Sequence, residues 1–274
     1  RLTLPLLVLY GLGVTVGAGI YVLIGKIGYQ AGVFAPYSFL LASLLIAPTT
    51  YSYSKLVIRF PVSAGSARYV EEGFGIKWLA ILVGLLVVSA GIVSSATISV
   101  GSVGYVQEFI SIPPPVLVTG IIAVFTGIAI LGIRESVIAA AFFTLVEVGG
   151  LLAIIFGGFF ADTPAIWTTL TASFSTFSLE AVGLIGASAV LAFYAFIGFE
   201  DMVNVAEEVK KPEKIFPPAI AITLLVTMGL YFLVSIIAVS LVDRETLGSS
   251  GAPISLVAER TGIISPDILS SIGV

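Results

Sequence analysis

Long runs of apolar residues with at most one charge each, separated by short charged connections, make up most of the chain. A helix needs about 20 mostly apolar residues to cross a bilayer, and seven runs are roughly that long or longer. In chain order they are residues 2–25, 27–54, 78–107, 109–133, 136–161, 181–199 and 215–242. None of them shows the alternation of period 2 that is typical of a membrane β-barrel. The pattern therefore predicts an all-α integral membrane protein with seven spans.

Composition narrows the class of protein. Hydrophobic residues make up 58% of the 274 residues and charged residues 10%, against about a quarter charged in ordinary soluble domains. Such a chain cannot cover its surface with polar groups, so a soluble enzyme or binding domain is excluded. The absence of Cys and His excludes disulfides, thiolate catalysis and the commonest general base. The net charge of -4 gives no support for a nucleic-acid partner, and we expect no cofactor and no metal.

The basic residues predict the orientation in the membrane. Nine of the twelve fall at the N-terminus or in alternate connections: Arg1, Lys55, Arg59, Arg68, Lys77, Arg134, Lys210, Lys211 and Lys214. Only Lys26, Arg244 and Arg260 fall on the other side. Because cytoplasmic loops carry the excess of Lys and Arg, we expect a cytoplasmic N-terminus. The expected location is the plasma membrane.

Two features suggest that the chain is a fragment of a longer membrane protein. It begins with Arg rather than Met, and residues 249–274 lead from the seventh run into another apolar-leaning stretch. We interpret that stretch as the approach to an eighth span.

Two of the seven runs contain residues that disfavour a continuous helix. Gly17 and Gly19 stand near the middle of the first run, and each glycine costs a helix roughly 1 kcal/mol relative to alanine. One interpretation is close helix packing, because Gly13 and Gly17 have GxxxG spacing. The other is an unwound segment, whose free N–H and C=O groups would serve a small polar ligand.

The sixth run repeats this theme, because Gly198 precedes two acidic residues, Glu200 and Asp201. Acidic residues at membrane depth are costly and usually functional. The alternative is that the run ends near Phe199 and that both acids lie in cytoplasmic water. Two interrupted helices five spans apart have opposite orientations, as in inverted-repeat transporters. Helix N-termini suit a carboxylate and free carbonyls suit an ammonium group, so a zwitterionic amino acid matches both.

Four segments resemble the amino acid–polyamine–organocation (APC) transporter superfamily: residues 17–21, 59–69 with 73–75, 193–200 and 207–217. The resemblance covers roughly the first seven of the family's usual twelve helices. It implies a truncated five-plus-five inverted-repeat fold with broken helices one and six. The first repeat would be residues 1–160, the extracellular connection 161–180, and the start of the second repeat 181–274. It also implies secondary transport of amino acids or related amines by alternating access, and no enzymatic activity.

The resemblance further implies a substrate site at the membrane midplane. From helix one it would use Gly17, Ala18, Gly19 and Ile20, and the amides of Gly17, Ala18 and Gly19 would hold the substrate carboxylate. From helix six it would use Tyr194, Ala195, Phe196, Ile197 and Gly198, with carbonyls facing the ammonium group and Tyr194 as an aromatic gate. Glu200 matches an acidic position implicated in coupling in some members. Glu207 and Glu208 match a cytoplasmic acid pair.

Glu147 is the one charged residue inside the fifth run. A lone carboxylate at that depth costs several kcal/mol unless it is protonated, paired or facing water. Several proton-coupled relatives have a Lys in this part of helix five, so Glu147 departs from their pattern. Either Glu147 carries the proton itself, or it binds a cation, or it makes a static hydrogen bond.

The favoured interpretation is symport of an amino acid with a proton, or with sodium, as the coupling ion. The alternatives are an amino acid/polyamine antiporter and, if the chain is complete, a seven-helix receptor. The charge bias argues against a receptor, because it places the N-terminus inside. The aromatic and aliphatic residues Tyr194, Phe196 and Ile197 mildly favour a neutral amino acid.

Overall fold

The computed structural model describes residues 2–107 and 110–262. Some positions used in the sequence analysis lie outside the described part. They are Arg1, Phe109, residues 263–274 and the side chains of Ala18 and Arg134.

The described residues form α-helices joined by short turns. The helices are α1 (Leu4–Thr15), α2 (Ala18–Ala31), α3 (Ala35–Arg59), α4 (Gly65–Phe74), α5 (Lys77–Gln107), α6 (Pro114–Leu131), α7 (Ile133–Ala161), α8 (Thr163–Ser175), α9 (Leu179–Tyr194), α10 (Pro212–Leu241), α11 (Arg244–Ser249) and α12 (Pro253–Thr261). Two 3-10 segments, Gly32–Phe34 and Phe199–Glu208, lie between them. Within the described ranges the only β-type pairing is an isolated bridge between Leu2 and Val209. The predicted all-α class is confirmed.

Six helical stretches of the described chain are long and apolar enough to cross a membrane. They are Gly19–Arg59, Lys77–Gln107, Pro114–Leu131, Ser136–Ala161, Leu179–Glu208 and Pro212–Leu241. The first of these joins α2 to α3, and the short apolar helix α1 precedes it. The predicted first span is therefore divided between α1 and α2, which is the expected broken helix.

The predicted boundary between the first and second spans is wrong. The charge pattern predicts a boundary at Lys26, but α2 continues through this residue to Ala31. Lys26 is exposed, so its charge is no obstacle to the helix. The turn comes at Gly32, whose φ of +54° favours glycine.

Helix α10 lies at the centre of the bundle. It packs against α1, α3, α7 and α8. Tyr231, Val234 and Ile237 on this helix are fully buried. A helix that is apolar on all sides suits such a central position.

Helices α5 and α6 differ from the buried helix α10, because their apolar side chains face outwards. Leu85 and Ile92 on α5 and Val124 on α6 are each more than 60% exposed. Lipid chains are as apolar as leucine, so such surfaces are stable in a bilayer.

One end of the bundle is tied together by three segments that are distant in sequence. The amide of Leu2 donates to the carbonyl of Glu208 at 2.7 Å. The amide of Ser63 donates to Oε1 of Glu207 at 3.0 Å. Tyr53 packs its ring edge-on against Tyr69 and Phe199, with centroids 6.0 and 5.6 Å apart. The basic connections around residues 55–77 and 210–214 therefore meet at this end.

The opposite end is held by Arg244. Its guanidinium donates to the carbonyls of Tyr29 and Gln30 at the end of α2 and lies over the ring of Tyr29. Asp243 caps α11 by accepting from the amide of Thr246 at 2.9 Å. Hydrogen bonds from Thr246 lower the pKa of this exposed Asp243 carboxyl.

The Ser63–Glu207 hydrogen bond yields a test of this fold. Replacing Glu207→Ala should speed amide exchange at residues 62–65 roughly 2- to 10-fold, the range expected for the loss of one hydrogen bond. Hydrogen–deuterium exchange with mass spectrometry measures this. Glu208→Ala is the matched control, because in the described structure this residue contributes its backbone carbonyl to the contact. Equal exchange in the two variants would contradict the assigned contact.

Candidate functional site

The first break lies between α1 and α2. Helix α1 ends at Thr15, Val16 is extended (φ -85°, ψ 120°), and α2 begins at Ala18. The amides of residues 17–19 open α2, and the first amides of a helix have no partner within it. The break therefore presents N–H groups that lack a partner within α2, at the positive end of this helix.

The second break follows α9, which ends at Tyr194. Residues 195–198 form turns, and Gly198 has a φ of +128°, which strongly favours glycine. The 3-10 segment Phe199–Glu208 begins immediately afterwards. The carboxylate of Glu200 accepts from the amide of Gly198 at 2.9 Å and so caps this segment.

The two breaks touch each other through their backbones. A Cβ on Gly19 would stand 2.6 Å from Cα of Ala195. A Cβ on Gly198 would collide with the carbonyl oxygen of Val14. Both glycines are therefore needed for the close approach, and the two breaks form one continuous backbone surface.

Tyr231 joins both breaks to α10. Its hydroxyl donates to the carbonyl of Thr15 at 2.8 Å and to that of Ala195 at 2.9 Å. Its ring packs edge-on against Phe196 and Phe39, with centroids 5.1 and 5.4 Å away. The sequence analysis missed this residue. The available signal was a tyrosine inside an apolar span, because a buried tyrosine hydroxyl usually has a hydrogen-bond partner.

Glu147 lies beside the first break. Its Oε1 is 3.9 Å from the position that a Cβ on Gly17 would occupy. One turn earlier, Thr144 fills the space beside Gly13, so α7 runs close along α1. The backbone carbonyl of Glu147 accepts from the Tyr21 hydroxyl at 3.3 Å. In the described part of the chain, ion pairs join Arg68 to Glu71 and Glu72, and none involves Glu147.

The other predicted site residues divide into two groups. Ile20 and Phe196 are fully buried, so only their backbone groups can face a ligand. Ile197 is 42% exposed, and Tyr194 is half-buried. The Tyr194 hydroxyl is enclosed and has no hydrogen-bond partner among the described atoms. Ala18 is described by its backbone alone, as the first residue of α2.

The two predicted coupling residues occupy different surroundings. The Glu200 carboxylate is engaged as the cap of the 3-10 segment. Its neighbour Asp201 accepts from the Asn204 side chain at 3.1 Å. Glu147 instead presents its carboxylate at the break between α1 and α2. Of the two, Glu147 is the one that the structure brings next to Gly17.

Comparisons with known proteins all point to amino acid permeases and transporters. Residues 2–270 match the amino acid permease family. A vacuolar cationic amino acid transporter 2 of Arabidopsis thaliana is 32% identical over 88% of this chain and 41% of its own length. A mitochondrial cationic amino acid transporter 3 of the same plant is 31% identical over 96% and 46%. A branched-chain amino acid permease of Bacillus subtilis is 28% identical over 93% and 58%. The chain spans about half the length of the curated relatives it matches.

Gly198 provides a test of the contact between the breaks. Gly198→Ala should lower the melting temperature of the purified protein by roughly 5 °C or more, because it adds backbone strain and a collision with Val14. Thermal unfolding in detergent measures this. Gly186→Ala on α9 is the control, since a Cβ there meets no atom within 4 Å. A Gly198→Ala protein as stable as the control would refute the close approach.

Proposed function

The chain belongs to the amino acid permease family, and from this premise we propose that it forms part of a secondary amino acid transporter. The transporter works by alternating access around the touching breaks after α1 and α9. The observation that carries the proposal is the backbone contact between Gly19 and Ala195. In this proposal the amides that open α2 and the carbonyls that follow α9 belong to one substrate site.

The substrate in this proposal is a free amino acid. Its carboxylate binds the amides of residues 17–19, because helix N-termini attract anions. Its ammonium group meets the carbonyls of residues 195–197, where half-helix ends favour a cation. The exposed Ile197 and the half-buried Tyr194 lie nearest the side chain. These residues favour an apolar, neutral amino acid.

We assign proton coupling to Glu147. Support comes from its position next to Gly17 and from the lack of an ion-pair partner among the described side chains. A carboxylate in such a place is stable when it is protonated or faces a cation. In this proposal, substrate binding and protonation of Glu147 both stabilise the same conformation of the break between α1 and α2. Glu200 has a supporting role in this proposal, because it caps the segment after the second break.

The proposed architecture is an inverted repeat in the plasma membrane. Residues 1–160 form the first repeat, residues 161–180 an extracellular connection that contains α8, and residue 181 begins the second repeat. The N-terminus faces the cytoplasm, which fits the meeting of the basic connections near residues 55–77 and 210–214 at one end. The plant relatives are named as vacuolar and mitochondrial transporters.

Uptake into liposomes tests the proposed coupling. The natural protein is reconstituted without sodium, and uptake of labelled leucine and labelled arginine is followed under an inward proton gradient. We expect gradient-driven uptake, with leucine preferred. In Glu147→Gln the gradient should no longer drive uptake, because the side chain cannot exchange a proton.

Glu180→Gln is the matched control, since Glu180 is exposed at the start of α9. Gradient-driven uptake that persists in Glu147→Gln would refute the role of Glu147. Exchange independent of the gradient in all proteins would identify an antiporter. A complete lack of flux with either amino acid would count against amino acid transport itself.

A further inference from the structure

One side of helix α3 is exposed over its second half. The exposed residues form a strip of Leu44, Pro48, Tyr51, Lys55 and Arg59, which we call the α3 strip. Their spacing of three or four residues places them on a single face, because a helical turn takes 3.6 residues. Leu44 is 65% exposed and Tyr51 is 64% exposed. The opposite face of the helix is buried, and α3 packs against α9 and α10.

The α3 strip changes its chemical character along its length. It begins with the apolar Leu44 and Pro48, continues with the ring of Tyr51 and ends with the cations of Lys55 and Arg59. A membrane shows the same order from inside to outside, because hydrocarbon is followed by an interface that favours tyrosine and then by charged headgroups.

The length of the α3 strip also suits a lipid. Leu44 and Arg59 are separated by about 22 Å along the helix axis, at a rise of about 1.5 Å per residue. A bilayer with its headgroups is about 40–45 Å thick, so one leaflet accounts for roughly half of that. The strip therefore matches one leaflet from its acyl chains to its headgroups.

The two basic residues of the strip are available to bind an anion. Both side chains are exposed, and α3 contains no acidic residue. Among the described residues, neither of them forms an ion pair. Nζ of Lys55 lies 5.3 Å from the ring centre of Tyr51, and the guanidinium of Arg59 lies 5.4 Å from that of Phe60. These ring contacts hold the positive charges beside the aromatic part of the strip without neutralising them.

We propose that the α3 strip binds one anionic phospholipid. The phosphate contacts Lys55 and Arg59, and the acyl chains lie along Leu44 and Pro48. Guanidinium matches two phosphate oxygens at once and the ammonium adds a point charge, whereas a zwitterionic headgroup would bring its own cation to the same place. The proposed orientation puts this end in the cytoplasmic leaflet, where anionic lipids are enriched. The lipid site itself does not depend on the proposed transport function.

A lipid titration tests the headgroup part of the site. The natural full-length protein is delipidated in detergent, and native mass spectrometry follows the binding of dioleoyl phosphatidylglycerol or dioleoyl phosphatidylcholine. We expect phosphatidylglycerol to bind first and more tightly. In the double variant Lys55→Gln, Arg59→Gln its affinity should fall roughly 30-fold, because each basic residue beside an anionic lipid strengthens binding about fivefold.

The matched control is the double variant Lys26→Gln, Arg260→Gln, which removes the same charge from exposed positions on α2 and α12. It should bind phosphatidylglycerol as the natural protein does. Equal affinity of the natural protein for both lipids would overturn the proposal. The same would follow if the two double variants bound phosphatidylglycerol equally well.

A second measurement tests whether acyl chains lie along the strip. Leu44→Cys, in a background with no other cysteine, is labelled with bimane and reconstituted in phosphatidylcholine that contains a small fraction of brominated lipid. Brominated phosphatidylglycerol should quench the label more strongly than brominated phosphatidylcholine. Ile92→Cys on α5 is the control, because this residue is 66% exposed on another helix, and both lipids should quench it equally. A label at position 44 that neither lipid quenches would show that protein covers the strip and would refute the site.

Discussion

The direct backbone contact between two interrupted helices is the constraint on which the rest of this structure depends. Gly19 and Gly198 permit it, because a side chain at either position would collide with the opposing break. Backbone groups freed at membrane depth must find partners within protein or a cavity. Bringing the breaks together meets part of this need, since one hydroxyl from α10 serves the carbonyl ends of both α1 and α9.

The two acidic residues near the breaks, Glu147 and Glu200, make different contacts. Glu200 is held as a cap by the amide of Gly198, which fixes where the segment after the second break begins. Glu147 lies beside Gly17 on a different helix. A carboxylate that is not already committed to a hydrogen bond can respond to a proton or a ligand. In the proposed function this difference assigns coupling to α7 and support to the 3-10 segment.

Different hydrogen bonds hold the two ends of the bundle together. At one end, the amide of Ser63 contacts the 3-10 segment through the Glu207 side chain, and Leu2 pairs with Val209. At the other end, Arg244 caps the carbonyl end of α2. Both closures bear directly on the half-helices that flank the breaks. In the proposed alternating-access cycle, opening either end would therefore move one half-helix relative to the central helix α10.

The sequence by itself determined which segments cross the membrane and where two of them break. Both depend on local composition, because apolar length sets a span and glycine weakens a helix. It also placed Glu147 inside the membrane, but it could not end α2 correctly, since an exposed Lys26 does not interrupt a helix. Only the tertiary structure decided that Tyr231 bridges the breaks, that Glu147 lies at the first break and that Glu200 is a cap. The Tyr231 hydroxyl reaches residues 216 and 36 positions away, and contacts at such separations follow from helix packing rather than from any local pattern.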